Sequence, residues 1–168
     1  MTGTSPDSPD SVSPASISPV SVNPVSVDPH RLLLTSESGG GGVLLGQRCR
    51  QCQVCIFGPA IFCQACSSSD LELVQLSRQG ALYSFTVVRV PPAGWPGKVP
   101  YTLGEVELPE GPHVLAEIID CEPDRLELGM VMELALEQVA VAESNQGSGK
   151  GLGKVLAVYK WRPAEKPG

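Results

Sequence analysis

Cys49-Arg50-Gln51-Cys52 and, one short crossing later, Cys63-Gln64-Ala65-Cys66 stand ahead of a run of alternating, β-like segments. A Cys-x-x-Cys turn aims two thiolates at one point. Two such turns facing each other offer sulfurs at tetrahedral geometry, which suits zinc, or iron in a rubredoxin-like site. A full set of sulfur ligands leaves no position for water or substrate, so the metal is expected to be structural rather than catalytic. Two disulfides in a secreted protein are the bland alternative. The polar stretch after Met1 has no apolar signal-peptide core, which favours the metal. Cys55 lies three residues after Cys52, so Cys52 and Cys55 form a competing knuckle and spacing alone leaves the ligand set open.

Working outward, 18 glycines and 16 prolines against 5% aromatic residues favour short strands and many turns over a helical bundle. No apolar stretch approaches the ~20 residues needed to cross a bilayer, and the chain reads as soluble and cytoplasmic, with no membrane partner. The formal net charge is −6, and between Tyr101 and Glu143 the acids from Glu105 onward are opposed only by Arg125. Nucleic-acid affinity comes mostly from phosphate neutralisation by Lys and Arg, so this surface should repel DNA and RNA.

Residues 1–42 read as a disordered tail. Pro14, Pro19, Pro24 and Pro29 recur in near-repeats such as Ser21-Val22-Asn23-Pro24 and Ser26-Val27-Asp28-Pro29, and proline at this density opposes helix and regular pairing. Leu32-Leu33-Leu34 is too short to stand as a helix, and Gly39–Gly42 gives a flexible break. Residues 43–70 form the metal ribbon, too small for a core of its own and dependent on metal for folding energy. Residues 71–163 read as β-structure and 164–168 as a flexible end.

Ala81–Val90 is the strongest strand. Tyr101–Leu108 and His113–Ile119 suit a hairpin across Pro109-Glu110-Gly111-Pro112, and Pro123–Gly129 a short helical turn. In Val131–Val141, Met132, Leu134 and Leu136 alternate against Glu133, Ala135 and Glu137. In Lys154–Trp161, Val155, Ala157, Tyr159 and Trp161 share a face. This pattern fits an OB-type Greek-key barrel, an SH3-like barrel or a small sandwich.

From Leu45 to Pro163 the chain resembles rubredoxin-like zinc ribbons fused to a C-terminal OB-fold, domain-of-unknown-function family thirty-five, which is associated with acyl-CoA metabolism. The residues that carry the resemblance begin with Gly46-Gln47-Arg48-Cys49-Arg50-Gln51-Cys52, Phe57-Gly58-Pro59 and Cys63-Gln64-Ala65-Cys66. Gly80-Ala81-Leu82-Tyr83-Ser84-Phe85-Thr86-Val87-Val88, Pro100-Tyr101, Gly104-Glu105-Val106-Glu107-Leu108, Gly129-Met130-Val131-Met132 and Tyr159-Lys160-Trp161-Arg162-Pro163 follow. The resemblance implies a mostly β protein with an OB-fold barrel, and a structural metal on Cys49, Cys52, Cys63 and Cys66; zinc is expected over iron, because a redox role usually needs no appended barrel. It also implies an accessory, non-catalytic partner of thiolase-like enzymes that helps shape a CoA-ester site. Carried over to this chain, it points to Trp95, Pro100 and Tyr101 as CoA- or partner-binding residues. The chain departs from the family in two places. Gln53 and Ser67 stand where glycine usually follows each knuckle, and the Pro repeat replaces a docking helix.

The Pro91–Tyr101 loop itself is stiffened by Pro91, Pro92, Pro96 and Pro100 around Trp95, which makes Trp95 either a binding anchor or a cap folded back onto the barrel. Lys98 is one of few bases able to meet a CoA phosphate there. Cys121 with His113 is a conceivable nucleophile pair, but eight residues separate them along one strand and a structural thiol is favoured. Tyr83, Phe85, Tyr159 and Trp161 form either an OB stacking surface or core packing. His30 needs no role. The leading functional expectation is an accessory subunit of a thiolase- or acyltransferase-type enzyme, with acyl-CoA as a possible ligand. The alternatives are a ribbon/OB nucleic-acid-binding module and a rubredoxin-like iron electron carrier.

Overall fold

The alternation of Val131–Val141 and Lys154–Pro163 belongs to two strands, β9 and β10, that pair antiparallel from Lys154↔Val141 to Pro163↔Met132. The computed structural model describes residues 23–93, 97–141 and 154–164. Before β9 come β1 (Val25–Ser26), β2 (Leu32–Leu34), β3 (Gly42–Cys49), β4 (Cys55–Phe57), β5 (Leu71–Gln75), β6 (Gln79–Val88), β7 (Tyr101–Glu107) and β8 (His113–Ile118). A 3-10 turn at Pro123–Arg125 links β8 to β9, within the Pro123–Gly129 stretch where a short helical turn is expected from sequence.

Strands β6, β7 and β8 form an antiparallel meander. β9 pairs with the start of β6, and β10 returns between β9 and β8, meeting β8 in parallel at Trp161↔Ile118. These pairings close an OB-fold barrel, which selects among the three architectures that the alternation alone allows. Inward positions alternate as expected: Thr102, Gly104 and Val106 on β7, and Val114, Ala116 and Ile118 on β8, are buried. A bulge between Leu82 and Ser84 adds Tyr83 to β6 and turns its ring to the outside.

The ribbon is a second sheet, with β3 flanked by β4 and β5 and extended by β2 at its root. β5 pairs with β3 from Leu45↔Gln75 to Cys49↔Leu71, so the ribbon sheet runs past residue 70.

Residues 23–42, expected as part of a disordered tail, are strands and turns. β1 pairs in parallel with Leu156 and Ala157 of β10, and β2 pairs with β3. The reason is tertiary: Leu32 is fully buried and joins Leu44 and Leu76 in one cluster with Leu82, Val106, Met132, Leu134 and Trp161. The junction is tied further by Phe57 edge-on to Tyr159 at 5.9 Å. Arg78 donates to the Gly42 and Leu134 carbonyls, and Ser77 donates to Glu110 Oε1 through both its amide and its hydroxyl. Ribbon and barrel therefore share one core. No helix among the described residues is long and apolar enough to cross a membrane.

Candidate metal centre

The two knuckles are built alike, residue for residue. The Cys49 amide donates to Val54 O and the Cys63 amide to Ser68 O, while Gln53 N–H returns to Cys49 O and Ser67 N–H to Cys63 O. Each turn closes with a left-handed residue, Gln53 at φ 64° and Ser67 at φ 60°. These are the two positions where the family usually carries glycine.

The geometry brings Cys49, Cys52, Cys63 and Cys66 together. Cys49 Sγ lies 3.5 Å from Cys66 Sγ, and Cys52 Sγ lies 3.4 Å from Cys63 Sγ. All four sulfurs lie within 4.8 Å of one another. Metal–sulfur bonds of about 2.3 Å in a tetrahedron require sulfur–sulfur edges of roughly 3.8 Å, so the cluster has the size of a tetrahedral thiolate site.

Backbone amides prepare the sulfurs for negative charge. The Cys52 amide, joined by that of Gln51 and working against burial, holds the Cys49 thiol down to about 6. The amides of Ala65 and Cys66 likewise lower Cys63. Cys52 receives the Val54 amide, yet its bond to Cys63 and partial desolvation among the sulfurs leave it raised. The Ser68 amide draws Cys66 down, but partial desolvation and its three sulfur neighbours push it up to about 12. Thiols this close cannot all ionise without a cation among them, and a divalent ion would let all four do so. The donor set fits a thiolate-loving metal such as zinc. Cys49 and Cys63 are buried while Cys52 and Cys66 face solvent, so the site sits at the ribbon surface.

Cys55 is not in the cluster. It is buried on β4, with its sulfur 3.4 Å from Arg48 Nε.

The two left-handed side chains yield a direct expectation. An L-residue in this region costs on the order of 1 kcal/mol, and glycine relieves it. Ser67→Gly should therefore raise the denaturant midpoint of the metal-loaded protein by about 1 kcal/mol of stability. Gln53→Gly should gain less, because Gln53 Nε2 also donates to Arg50 O at 3.0 Å. Unchanged midpoints in urea titrations of both variants would show that the knuckles bear no such strain.

The loop residues fall elsewhere. Lys98 and Pro100 are exposed and Tyr101 is half-buried at the start of β7. With Glu117 and Cys121 they line a cleft of about 260 Å³. Trp95 lies outside the described residues. Cys121 bonds Glu122 O, whereas His113 bonds Glu105 and lines a different cleft, of about 590 Å³, between ribbon and barrel. The two lie toward opposite ends of β8 and form no nucleophile pair. The four aromatics divide: Trp161 is wholly buried, Phe85 and Tyr159 pack against the core, and Tyr83 is exposed.

A closed four-cysteine ribbon rooted in an OB barrel defines the class, a ribbon–OB protein. Residues 73–137 match the family described as ChsH2, C-terminal OB-fold domain. The chain is 33% identical over 123 residues to a DUF35 domain-containing scaffold protein of Pyrococcus furiosus, covering 73% of this chain and 85% of that one. It is 32% identical over 114 residues to the benzoylsuccinyl-CoA thiolase subunit BbsA of Geobacter metallireducens, covering 68% of this chain and 75% of the subunit. Among solved structures, it is similar to a chain of the Ltp2-ChsH2(DUF35) aldolase, with a TM-score of 0.52 and 28% identity over 72% of this chain and 84% of that one. The chain belongs to the DUF35 family.

Proposed function

We propose that this chain is a non-catalytic accessory subunit of an acyl-CoA-processing enzyme of thiolase or acyltransferase type. The observation that carries the reading is the likeness, over 73% and 68% of this chain, to a scaffold protein and to a thiolase subunit. In this reading Cys49, Cys52, Cys63 and Cys66 hold one structural zinc. The ion supplies folding energy and no chemistry, since four sulfurs fill its coordination sphere. The barrel and ribbon dock the partner, and the cleft beside Lys98, Pro100 and Tyr101 lies near its CoA ester. The acidic barrel disfavours the nucleic-acid alternative: β6, β7 and β8 contain no Lys or Arg. A cytoplasmic location accords with such a partner.

Affinity purification of the full chain from its native cells, with mass spectrometry and metal analysis on one sample, tests this. The expected result is an acyl-CoA enzyme together with about one zinc per chain. A chain that purifies alone, and that adds nothing to the activity of candidate thiolases on mixing, would overturn the accessory role.

A further inference from the structure

The outer surface of β6, β7 and β8 has features that the fold does not use. OB barrels commonly bind ligands on the face of their second and third strands, which here are β7 and β8. Because Val114, Ala116 and Ile118 point inward, His113, Leu115 and Glu117 point outward, beside Leu103, Glu105 and Glu107 of β7. Leu115 is 59% exposed and the bulged Tyr83 57% exposed, so two large apolar side chains stand uncovered on one face.

The polar groups around them are ordered. Tyr83 packs edge-on to His113, with ring centres 4.5 Å apart. His113 Nδ1 lies 3.1 Å from Glu105 Oε1, and its Nε2 lies 4.0 Å from Glu107 Oε1. Ser84 Oγ donates to Glu105 Oε2 at 2.9 Å. The three strands carry no Lys or Arg. Lys160 on the neighbouring β10 is held by Glu117 and Glu137.

We propose that this face, with Tyr83 on β6 and Leu115 on β8 flanking Glu105 and Glu107 on β7, is where the chain meets its partner enzyme, and that the matching surface sets basic groups between apolar ones. The inference rests on the accessory reading and adds to it the place and the charge of the contact. An outer strand face is an open surface rather than a pocket, which suits a macromolecule better than a small ligand. Its carboxylates repel nucleic acid and anionic lipid, which leaves a protein carrying Arg or Lys. Large exposed apolar side chains set beside charged groups are what such contacts use.

The test uses the purified full chain and the acyl-CoA enzyme recovered with it, with affinity measured by calorimetry. Tyr83→Ser with Leu115→Ser removes the apolar pair, and Glu105→Lys with Glu107→Lys reverses the charge between them. Each pair should weaken binding roughly tenfold or more. Glu37→Lys, in the turn between β2 and β3, should stay within roughly twofold, and wild-type affinity should fall as salt rises. If both pairs bind within about twofold of wild type, with metal content and far-UV spectrum intact, the partner docks elsewhere and the accessory reading stands. If the wild-type chain binds no acyl-CoA enzyme, the accessory reading fails and this contact falls with it. Should a double variant lose its fold, Leu115→Ser alone, at a solvent-facing position, carries the same comparison.

Discussion

Replacing Cys49 with serine should empty the ribbon of metal, while replacing Cys55 should leave it loaded. Cys49 is buried within the four-sulfur cluster and receives the amides of Gln51 and Cys52. Its loss removes a ligand that no neighbour can supply, because the Cys55 sulfur is engaged with Arg48. Structural zinc typically contributes about 10–16 kcal/mol to peptides of this kind. The three strands around β3 build little core of their own, so the ribbon is expected to depend on the ion. Leu44 of β3 and Leu76 just beyond β5 sit in the barrel core, so the damage spreads inward. We expect zinc to fall from about one per chain to nearly none, and the melting temperature to fall by on the order of 10 °C or more. Chelation of the wild type should reproduce both effects. Metal analysis and a thermal melt decide the matter. Metal retained in Cys49→Ser but lost in Cys55→Ser would reassign the second knuckle ligand to Cys55.

Trp161→Ala should be the most damaging change in the barrel. The side chain is wholly buried, and its Nε1 donates to Val114 O at 3.1 Å. Its backbone lies where the barrel closes, opposite Leu134 on β9 and Ile118 on β8, with its carbonyl taking the Ile119 amide at 2.8 Å. Truncating a buried Trp to Ala typically costs about 3–5 kcal/mol. Trp161→Phe keeps much of the apolar volume but loses the indole donor, and should cost about 1–3 kcal/mol. In urea titrations the midpoints should order as wild type, Phe, Ala, with similar slopes. An Ala variant as stable as wild type would mean that the closure at Trp161 and Ile118 does not hold the barrel.

Much of this was legible in the sequence, for identifiable reasons. The cysteine spacing carries the knuckle geometry because each knuckle is local, complete within a few residues of Cys49 or Cys63. β8, β9 and β10 announce themselves because one face of each is buried and the alternation survives. β1 was not legible. Val25 and Val27 are both more than two-fifths exposed, so no burial pattern marks the strand, and its partner on β10 is remote in sequence. β2 was hidden for a related reason: Leu32 alone of its leucine triplet is buried, against residues from the far end of the chain. β5 resembles a barrel strand in composition, and only its register on β3 assigns it to the ribbon. The glycine departures at Gln53 and Ser67 did reveal a conformation, since both sit at positive φ. The outer face with Tyr83 was obscured by the bulge, which breaks the strand's alternation at that residue.

Leu32, Leu44 and Leu76 come from the ribbon's root and its linker, yet they seal the same interior as Val106, Leu134 and Trp161. Ribbon and barrel are thus not interchangeable parts. A barrel severed near residue 71 would leave behind the plug formed by Leu32 and Leu44, and would expose a greasy socket that invites aggregation. A foreign ribbon grafted in place of this one would have to bring its own leucines at the same heights. Evolutionary shuffling of the two halves would meet the same obstacle, since each recombinant would have to re-cut the lock as well as the key.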